Sequence, residues 1–223
     1  MSTQTPLRRY ASPQIAERRR RILDAVKTLI GEVGAEGFTL RDLGQRAGVS
    51  VTTIYNIFGD KESVIAHALR EFDAGIPLHL PADPADLTGY LRVISETSAV
   101  VIAHRAYAVA LADLYFSRSL SEALFDVIRS FPLHVFSPWR DRAREAGLLR
   151  ERGKSSVGER CYANLEWAAV KDWGATRIDD AELVRTRHRN FLLMIVAECD
   201  LPLAERAGAM LATLGEGPRI RLV

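Results

Sequence analysis

Apolar residues recur every three or four positions along most of the chain, and no segment shows the strict alternation of a half-buried strand. This spacing is typical of amphipathic helices. Glycines, prolines and N-cap residues mark where each helix should begin and end. The expected helices cover residues 13–33, 40–47, 51–58, 61–74, 84–103, 106–117, 121–145, 157–173, 180–198 and 202–214. Pro132 and Pro138 should interrupt the seventh of them. The pattern predicts an all-α fold.

Residues 38–62 predict two short helices joined by a tight turn. Thr39 is a natural N-cap with Asp42 three residues later, and Ser50 can cap the second helix in the same way. Gly48 lies between them, where the chain needs a left-handed residue. Two capped helices around such a turn predict a helix-turn-helix that reads DNA.

The second of these helices should have one buried and one outward face. The buried face holds three apolar side chains, Ile54, Ile57 and Phe58. The outer face holds short or uncharged side chains, namely Val51, Thr52, Thr53, Tyr55 and Asn56. Such a face suits a major groove about 12 Å wide, where Asn56 could pair with adenine through two hydrogen bonds. A plain helical hairpin is the alternative.

The distribution of charge favours the DNA interpretation. The chain has a net charge of +2, but residues 1–61 carry ten Lys or Arg residues against six acidic ones. Lys61 opens the next helix, and a lysine beside a helix N-terminus predicts a phosphate contact. Arg8 and Arg9 lie in a leader, residues 1–12, without apolar periodicity. It is expected to form either a flexible arm that enters the minor groove or a disordered tail.

Residues 18–65 resemble the TetR family of bacterial transcriptional regulators. The resemblance is carried by the segments Arg21-Ile22-Leu23-Asp24-Ala25, Gly37-Phe38-Thr39-Leu40, Ala47-Gly48-Val49-Ser50, Thr53-Ile54-Tyr55 and Phe58-Gly59-Asp60-Lys61-Glu62. Gly44 departs from the alanine that the family usually carries, which should loosen the first helix of the pair by about 1 kcal/mol.

The resemblance implies a division of the chain and a mode of action. Residues 1–60 would form a three-helix DNA-binding head. Thr39, the outer face of the second short helix, and Lys61 at the start of the following helix would contact the operator. Residues 61–223 would form an α-helical body that holds a small-molecule effector and a homodimer interface, with residues 61–74 as the connecting helix. Effector binding would relieve repression. An effector-independent or partner-controlled DNA-binding protein is the alternative.

A group of aromatic residues in the body suggests where an effector binds. Residues 90–139 hold eight of the seventeen aromatic residues, and in TetR-like proteins the corresponding helices surround the ligand cavity. Pockets are mostly apolar with a few polar anchors, so a modest hydrophobic or aromatic effector is expected. The candidate ligand-binding residues are His104, Tyr107, Asp113, Phe116, His134 and Asn164. Aromatic side chains at this spacing also occur in ordinary cores.

Two helices between residues 156 and 198 are expected to form the dimer interface. Ser156 with Glu159 predicts a capping box at the start of the first, and Asp179 caps the second. Their apolar stripes consist of Cys161, Leu165, Ala168 and Ala169 on one helix and Phe191, Met194 and Ile195 on the other. Two such helices from each subunit would make a four-helix bundle. Periodicity alone fits an intramolecular core equally well.

Other classes of protein receive little support from the sequence. There is no apolar run long enough for a membrane span and no secretory signal, so a cytoplasmic protein is expected. Cys161 and Cys199 are far apart in sequence and are read as core thiols. The chain lacks the common catalytic and phosphate-binding motifs, and its histidines lack metal-ligand spacing. We therefore expect neither an enzyme nor a bound metal or cofactor.

Overall fold

The computed structural model describes residues 13–118, 120–150 and 157–215. In these ranges the chain forms eleven helices. They are α1 (Pro13–Val33), α2 (Leu40–Ala47), α3 (Val51–Phe58), α4 (Lys61–Ala74), α5 (Leu87–Ala103), α6 (Arg105–Tyr115), α7 (Glu122–Ser130), α8 (Leu133–Glu145), α9 (Val157–Gly174), α10 (Asp180–Glu198) and α11 (Leu201–Thr213). Extended pairing in the described residues is limited to one isolated bridge between Leu149 and Cys199. The all-α prediction is confirmed.

Two hydrophobic clusters hold the helices together. The first begins in the head, where Ile22, Leu43 and Ile54 are fully buried, and continues into the body through residues of α6, α7 and α9. The second lies at the other end of the body, around the buried rings of Trp139 and Phe191. Because the first cluster runs from α1 into α6 and α9, the head packs directly on the body.

The beginning of α5 differs from the expectation that the helix starts at residue 84. Asp86 is the N-cap, and its carboxylate accepts a hydrogen bond from the backbone N–H of Gly89 at 2.9 Å. The Asp83 carboxylate instead accepts from the backbone N–H of Ala85 at 2.8 Å, which stabilises a turn before the helix. Asp83 thus forms a local turn, and the helix starts three residues later than expected.

The two prolines expected to interrupt the segment from 121 to 145 have different effects. Pro132 separates α7 from α8, as predicted, but Pro138 lies inside α8. Phe136 and Trp139, on either side of Pro138, are both fully buried in the second cluster. Their packing compensates for the backbone hydrogen bond that a proline inside a helix removes.

Some of the predictions fall outside the described residues. These are the leader at residues 1–12 with Arg8 and Arg9, and the capping role of Ser156. Among the helices that the structure does describe, none is both long enough and apolar enough to cross a membrane.

Candidate nucleic-acid interface and body cavity

The start of α2 is fixed by a reciprocal capping box. The Thr39 hydroxyl accepts from the backbone N–H of Asp42 at 3.2 Å, and the Asp42 carboxylate accepts from the Thr39 backbone N–H at 2.8 Å. The Thr39 hydroxyl also donates to that carboxylate at 2.7 Å. These hydrogen bonds lower the pKa of Asp42 below its ordinary value. Thr39 is exposed, as a DNA contact requires, but its hydroxyl already has a structural role.

Gly48 and Ser50 orient α3 against α2. Gly48 has a left-handed backbone with φ of 64°, where a side chain would be strained. The Ser50 hydroxyl then accepts from the backbone N–H of Thr53 at 3.1 Å and lies 2.9 Å from the Thr53 hydroxyl. Ile54 and Phe58 are buried beneath the helix. The predicted helix-turn-helix is present, with α3 as its second helix.

The exposed part of α3 is a narrow polar stripe. Thr52, Tyr55 and Asn56 are exposed and share one helical face, and Tyr55 leaves 54% of its surface open although it is aromatic. We call these three residues the outer face. Val51 and Thr53 flank it and are half-buried. The outer face is therefore open to solvent, whereas Val51 and Thr53 are only partly accessible at its margins.

Several basic residues near this face are already engaged within the protein. The Arg46 guanidinium forms a hydrogen bond with the Glu32 carboxylate at 3.2 Å, and Arg20 binds Glu17 at 2.8 Å. Arg18, Arg21 and Arg41 are exposed and make no ion pair within the described residues. Arg41 was not among the residues expected to contact DNA. Its position in the first turn of the first helix of the pair could have suggested it.

The side chain of Lys61 is held by contacts with Phe38. Its ammonium donates to the backbone carbonyl of Phe38 and lies 4.4 Å from the centre of the Phe38 ring. Burial lowers the pKa of Lys61 below its ordinary value. The side chain thus links the start of α4 to the residue that precedes α2. The Phe38 carbonyl uses one of the three N–H donors of the ammonium, which leaves two that could bind a phosphate.

The body contains a partly open cavity that extends to the connecting helix α4. Its volume is about 100 Å³, below the 300–1,000 Å³ typical of ligand pockets. Its wall includes Phe72 and Asp73 at the end of α4 and Ile76 and Leu78 in the segment that follows. The remaining lining comes from α5, α6, α8, α9 and α10 and the turn before α8. The cavity is thus in contact with the end of α4 that is farthest from α3.

Three of the predicted ligand-binding residues line this cavity and three do not. His104, Tyr107 and His134 are in its wall. Asp113 instead forms an ion pair with Lys171 at 2.7 Å on the surface, and Phe116 is 47% exposed with the same Lys171 ammonium 5.8 Å from its ring centre. The residues of this segment that face the cavity are His104, Tyr107, Ala108 and Leu111, which are three or four positions apart and share one helical face. Positions 113 and 116 lie on other faces.

Asn164 is also placed outside the cavity. Its side-chain oxygen accepts a hydrogen bond from the Tyr115 hydroxyl at 2.6 Å, and the residue is exposed on α9. The two residues of α9 that line the cavity near this level are Glu166 and Trp167, two and three positions further along. The structure therefore moves Asp113, Phe116 and Asn164 out of the candidate pocket.

A buried ion pair lines the cavity on the α9–α10 side. The Arg187 guanidinium donates to the Glu166 carboxylate at 2.7 Å and to the Ser98 hydroxyl at 2.7 Å, while the Asn190 amide donates to Glu166 at 3.0 Å. Burial alone would lower the pKa of Arg187, but the charge of Glu166 raises it above its ordinary value. The pair was not expected, because Arg187 lies in a basic run that resembles a solvated helix face.

A second polar contact is found where α4 ends. The His134 ring nitrogen Nδ1 lies 2.6 Å from the Asp73 carboxylate. The Phe72 ring beside it makes edge contacts with the rings of His104 and Tyr107, at centroid distances of 5.2 and 5.0 Å. These contacts join α4 to α6 and α8 across the cavity wall.

The predicted dimer stripe on α10 proves to be intramolecular core. Phe191 and Ile195 are fully buried within the chain and Met194 is 8% exposed. Phe191 stacks on Tyr90 at 5.7 Å, so it is already packed and is not available to a partner. Ala169 on α9 is likewise buried.

The other three residues of the α9 stripe are exposed. They are Cys161, Leu165 and Ala168, and Leu193 of the adjoining α10 is 45% exposed. We call these four residues the α9–α10 face. It is apolar and has no partner within the chain described here.

The N-terminal region matches a known family. Residues 22–68 match the family model described as bacterial regulatory proteins, tetR family. The HTH-type transcriptional repressor KstR of Rhodococcus jostii is 43% identical over 58 residues, which is 26% of this chain and 27% of that protein. The HTH-type transcriptional regulator BetI of Burkholderia thailandensis is 36% identical over 69 residues, 29% of this chain and 35% of that protein. The matched region therefore spans about a quarter to a third of these relatives.

Solved structures extend the similarity in fold to about four fifths of the chain. A tetR family transcription regulator from Shewanella sp. PV-4 has a TM-score of 0.62 at 15% identity, covering 82% of this chain and 99% of that one. The regulator FadR of Bacillus subtilis, solved in complex with stearoyl-CoA, has a TM-score of 0.59 at 18% identity, covering 79% and 97%. Residues 22–68 therefore belong by sequence to the N-terminal domain of the TetR family of bacterial regulatory proteins, and about four fifths of the chain resembles TetR regulators in fold.

Proposed function

We propose that this protein is a sequence-specific DNA-binding transcriptional regulator that represses its target and is released by a small molecule bound in the body. The observation that carries the DNA-binding part is the outer face of α3. An exposed stripe of Thr52, Tyr55 and Asn56 is held on a rigid, capped helix pair. Its side chains offer hydrogen-bond donors and acceptors without charge, which suits base edges in the major groove.

The homodimer is the second element of the proposal. A single α3 reads only a few base pairs, so a specific site needs two heads about 34–36 Å apart. The α9–α10 face supports this arrangement because its exposed apolar side chains lie on two adjacent helices. Two such faces related by a twofold axis would form a four-helix bundle.

Release by a ligand rests on the position of the cavity. Phe72 and Asp73 belong both to the cavity wall and to α4, whose other end follows directly on α3. A helix of 14 residues is roughly 20 Å long, so a small shift at Phe72 displaces the head relative to its partner. A ligand that favours one head separation over the other then changes operator affinity.

The small volume of the cavity favours a second candidate, in which control comes from a protein partner or is absent. A cavity of about 100 Å³ is below the usual range for ligand pockets. The two candidates differ in one measurable property, which is the coupling between body ligands and DNA. Ligand control requires operator and effector to weaken each other, by about 1 to 3 kcal/mol in typical cases.

The DNA-binding proposal is tested with double-stranded DNA that the full chain itself selects from random sequences. Asn56→Ala should cost roughly 1 to 3 kcal/mol on the selected site and little on random DNA. Thr52→Ala is compared with Thr88→Ala, an exposed threonine of α5 in the body, which should bind as the wild type does. Equal loss on selected and random DNA would remove Asn56 from the base-reading residues.

Lys61 is tested separately, because the structure links it to Phe38. If its ammonium moves to a phosphate, Lys61→Ala should weaken binding to all sequences alike and reduce the salt dependence by about one counterion. Unchanged salt dependence would restrict Lys61 to its contact with the Phe38 carbonyl.

The ligand proposal is tested by a reciprocal titration. Small apolar compounds that raise the melting temperature of the full chain are added to the complex with the selected DNA, and the reverse titration is then made. Antagonism of equal size in both directions supports ligand control. A compound that saturates the body without changing DNA affinity favours the second candidate.

A further inference from the structure

Two hydrogen-bond donors in the cavity wall have no protein acceptor. Tyr107 of α6 and Trp167 of α9 both line the cavity and are only 7% and 6% exposed. The Tyr107 hydroxyl and the Trp167 indole nitrogen are buried, and neither has a hydrogen-bond partner within the described residues. Buried polar groups are nearly always paired, so unpaired donors on two residues of one cavity wall call for an explanation.

The chemistry of these two groups specifies what they lack. The indole N–H of Trp167 is a donor only, and a phenol hydroxyl donates or accepts. Burial, together with the charge of nearby Asp73, raises the pKa of Tyr107 well above its ordinary value, so the hydroxyl keeps its proton. Leaving such donors without an acceptor costs free energy that a suitable ligand recovers on binding. Both donors are therefore complementary to an acceptor oxygen.

The other polar groups of the cavity already have partners. Glu166 and Arg187 bind each other, and Arg187 also binds Ser98. At the α4 end, His134 contacts Asp73. The charges on the α9–α10 side are thus balanced, and a charged ligand buried there would have no unpaired counter-charge to neutralise it. The cavity favours a neutral ligand.

We propose that the cavity binds a small, neutral, apolar molecule with a carbonyl or ether oxygen, and that Tyr107 and Trp167 donate hydrogen bonds to its acceptor oxygens. This inference rests on the proposed ligand-binding function of the body and adds the chemical class of the ligand. The volume of about 100 Å³ limits the ligand to about the size of one six-membered ring unless the wall moves.

The test compares two probes of the same shape. Cyclohexanone carries a carbonyl oxygen where methylenecyclohexane carries a CH₂ group, so they differ in the acceptor alone. Binding to the full chain is measured by ligand-observed NMR titration. Cyclohexanone should bind about tenfold more tightly, the effect expected of one or two hydrogen bonds to previously unpaired donors.

Two variants and a matched control assign the preference to these side chains. Tyr107→Phe and Trp167→Phe should each lower the affinity for cyclohexanone several-fold relative to methylenecyclohexane, which corrects for changes of cavity volume. Tyr115→Phe is the control, because its hydroxyl already donates to Asn164 at 2.6 Å and Tyr115 does not line the cavity. It should leave the preference unchanged. Thermal melts establish that each variant folds.

Three results would overturn the inference: equal affinity for the two probes, binding of neither, or a preference that survives in both Phe variants. Failure of the proposed function looks different. If a hydrocarbon or a charged compound fills the body and releases the selected DNA, ligand control stands and this ligand class is wrong. If cyclohexanone binds with the expected preference and DNA affinity does not change, the ligand class stands and ligand control is wrong.

Discussion

Removing the charge of Arg187 should destabilise the protein far more than removing a surface arginine that makes an equally short ion pair. The Arg187 and Glu166 side chains are only 9% and 3% exposed and lie 2.7 Å apart. Arg187→Met would leave the Glu166 carboxylate buried with the Asn190 amide as its hydrogen-bond donor. Leaving one member of a buried pair uncompensated costs about 3–5 kcal/mol.

Arg177 provides a matched control. Its guanidinium lies 2.7 Å from the Asp172 carboxylate, the same separation, but the two side chains are 69% and 50% exposed. Water already screens this pair, so Arg177→Met should cost less than about 1 kcal/mol. The free energy of unfolding is measured by urea denaturation followed by circular dichroism, at one protein concentration because a dimer would make stability concentration-dependent.

A double substitution separates the ion pair from the space that its side chains fill. Glu166→Gln with Arg187→Met removes both charges, so it should be more stable than Arg187→Met alone. With the single variant Glu166→Gln, the double-mutant cycle gives the coupling between the two residues. If Arg187→Met loses no more stability than Arg177→Met, burial does not strengthen this ion pair. The claim that Arg187 and Glu166 stabilise the packing of α9 on α10 would then be wrong.

Three further predictions concern single side chains. Tyr107→Phe should raise the free energy of unfolding of the ligand-free protein by about 1 kcal/mol in a denaturant titration, because it removes a buried unpaired hydroxyl; a loss of similar size would contradict this. Burial raises the pKa of Cys199 to about 12, so at pH 8 a thiol reagent should reach Cys199 only after unfolding; labelling of Cys199 in the native protein would show that the second cluster opens. Burial lowers the pKa of His188 below its ordinary value of 6.5. The folded state therefore favours the neutral ring, and its contribution to stability is present above pH 6.5 and lost as the pH falls below it. His188→Gln should flatten the decline in unfolding free energy measured between pH 7 and 5, and an unchanged slope would assign that decline to other groups.

The helix-turn-helix and the connecting helix were predictable because α2, α3 and α4 each begin with a local signal. Thr39, Ser50 and Asp60 each accept a backbone hydrogen bond from three residues further along, and Gly48 has the left-handed backbone expected of it. These interactions depend on residues a few positions apart, so the sequence contains all that is needed to recognise them. The residues of the outer face follow from the same local geometry.

The body was less predictable because burial there depends on which helices meet. Phe191 and Leu165 are both apolar, and each lies on an apolar stripe of its helix. Phe191 is nevertheless fully buried, whereas Leu165 is 39% exposed. Arg187 lies between Arg185 and Arg189 in a run that resembles a solvated face, and only the position of Glu166 on α9 explains its burial. Periodicity identifies the apolar face of a helix, but it does not identify which other helix packs on that face.

Under the proposed ligand control, the same contacts indicate which part of the cavity wall would give way on ligand binding. A cavity of about 100 Å³ must expand for most ligands, and it expands where the wall is least strongly held. On the α9–α10 side, movement of one helix away from the other would separate the buried pair of Glu166 and Arg187, at a cost of several kcal/mol. At the α4 end, the wall is held by the Asp73–His134 contact, whose side chains are 20% and 36% exposed and therefore partly screened. Expansion toward Phe72 is the less costly direction, and it is also the direction that moves the helix leading to the DNA-reading head.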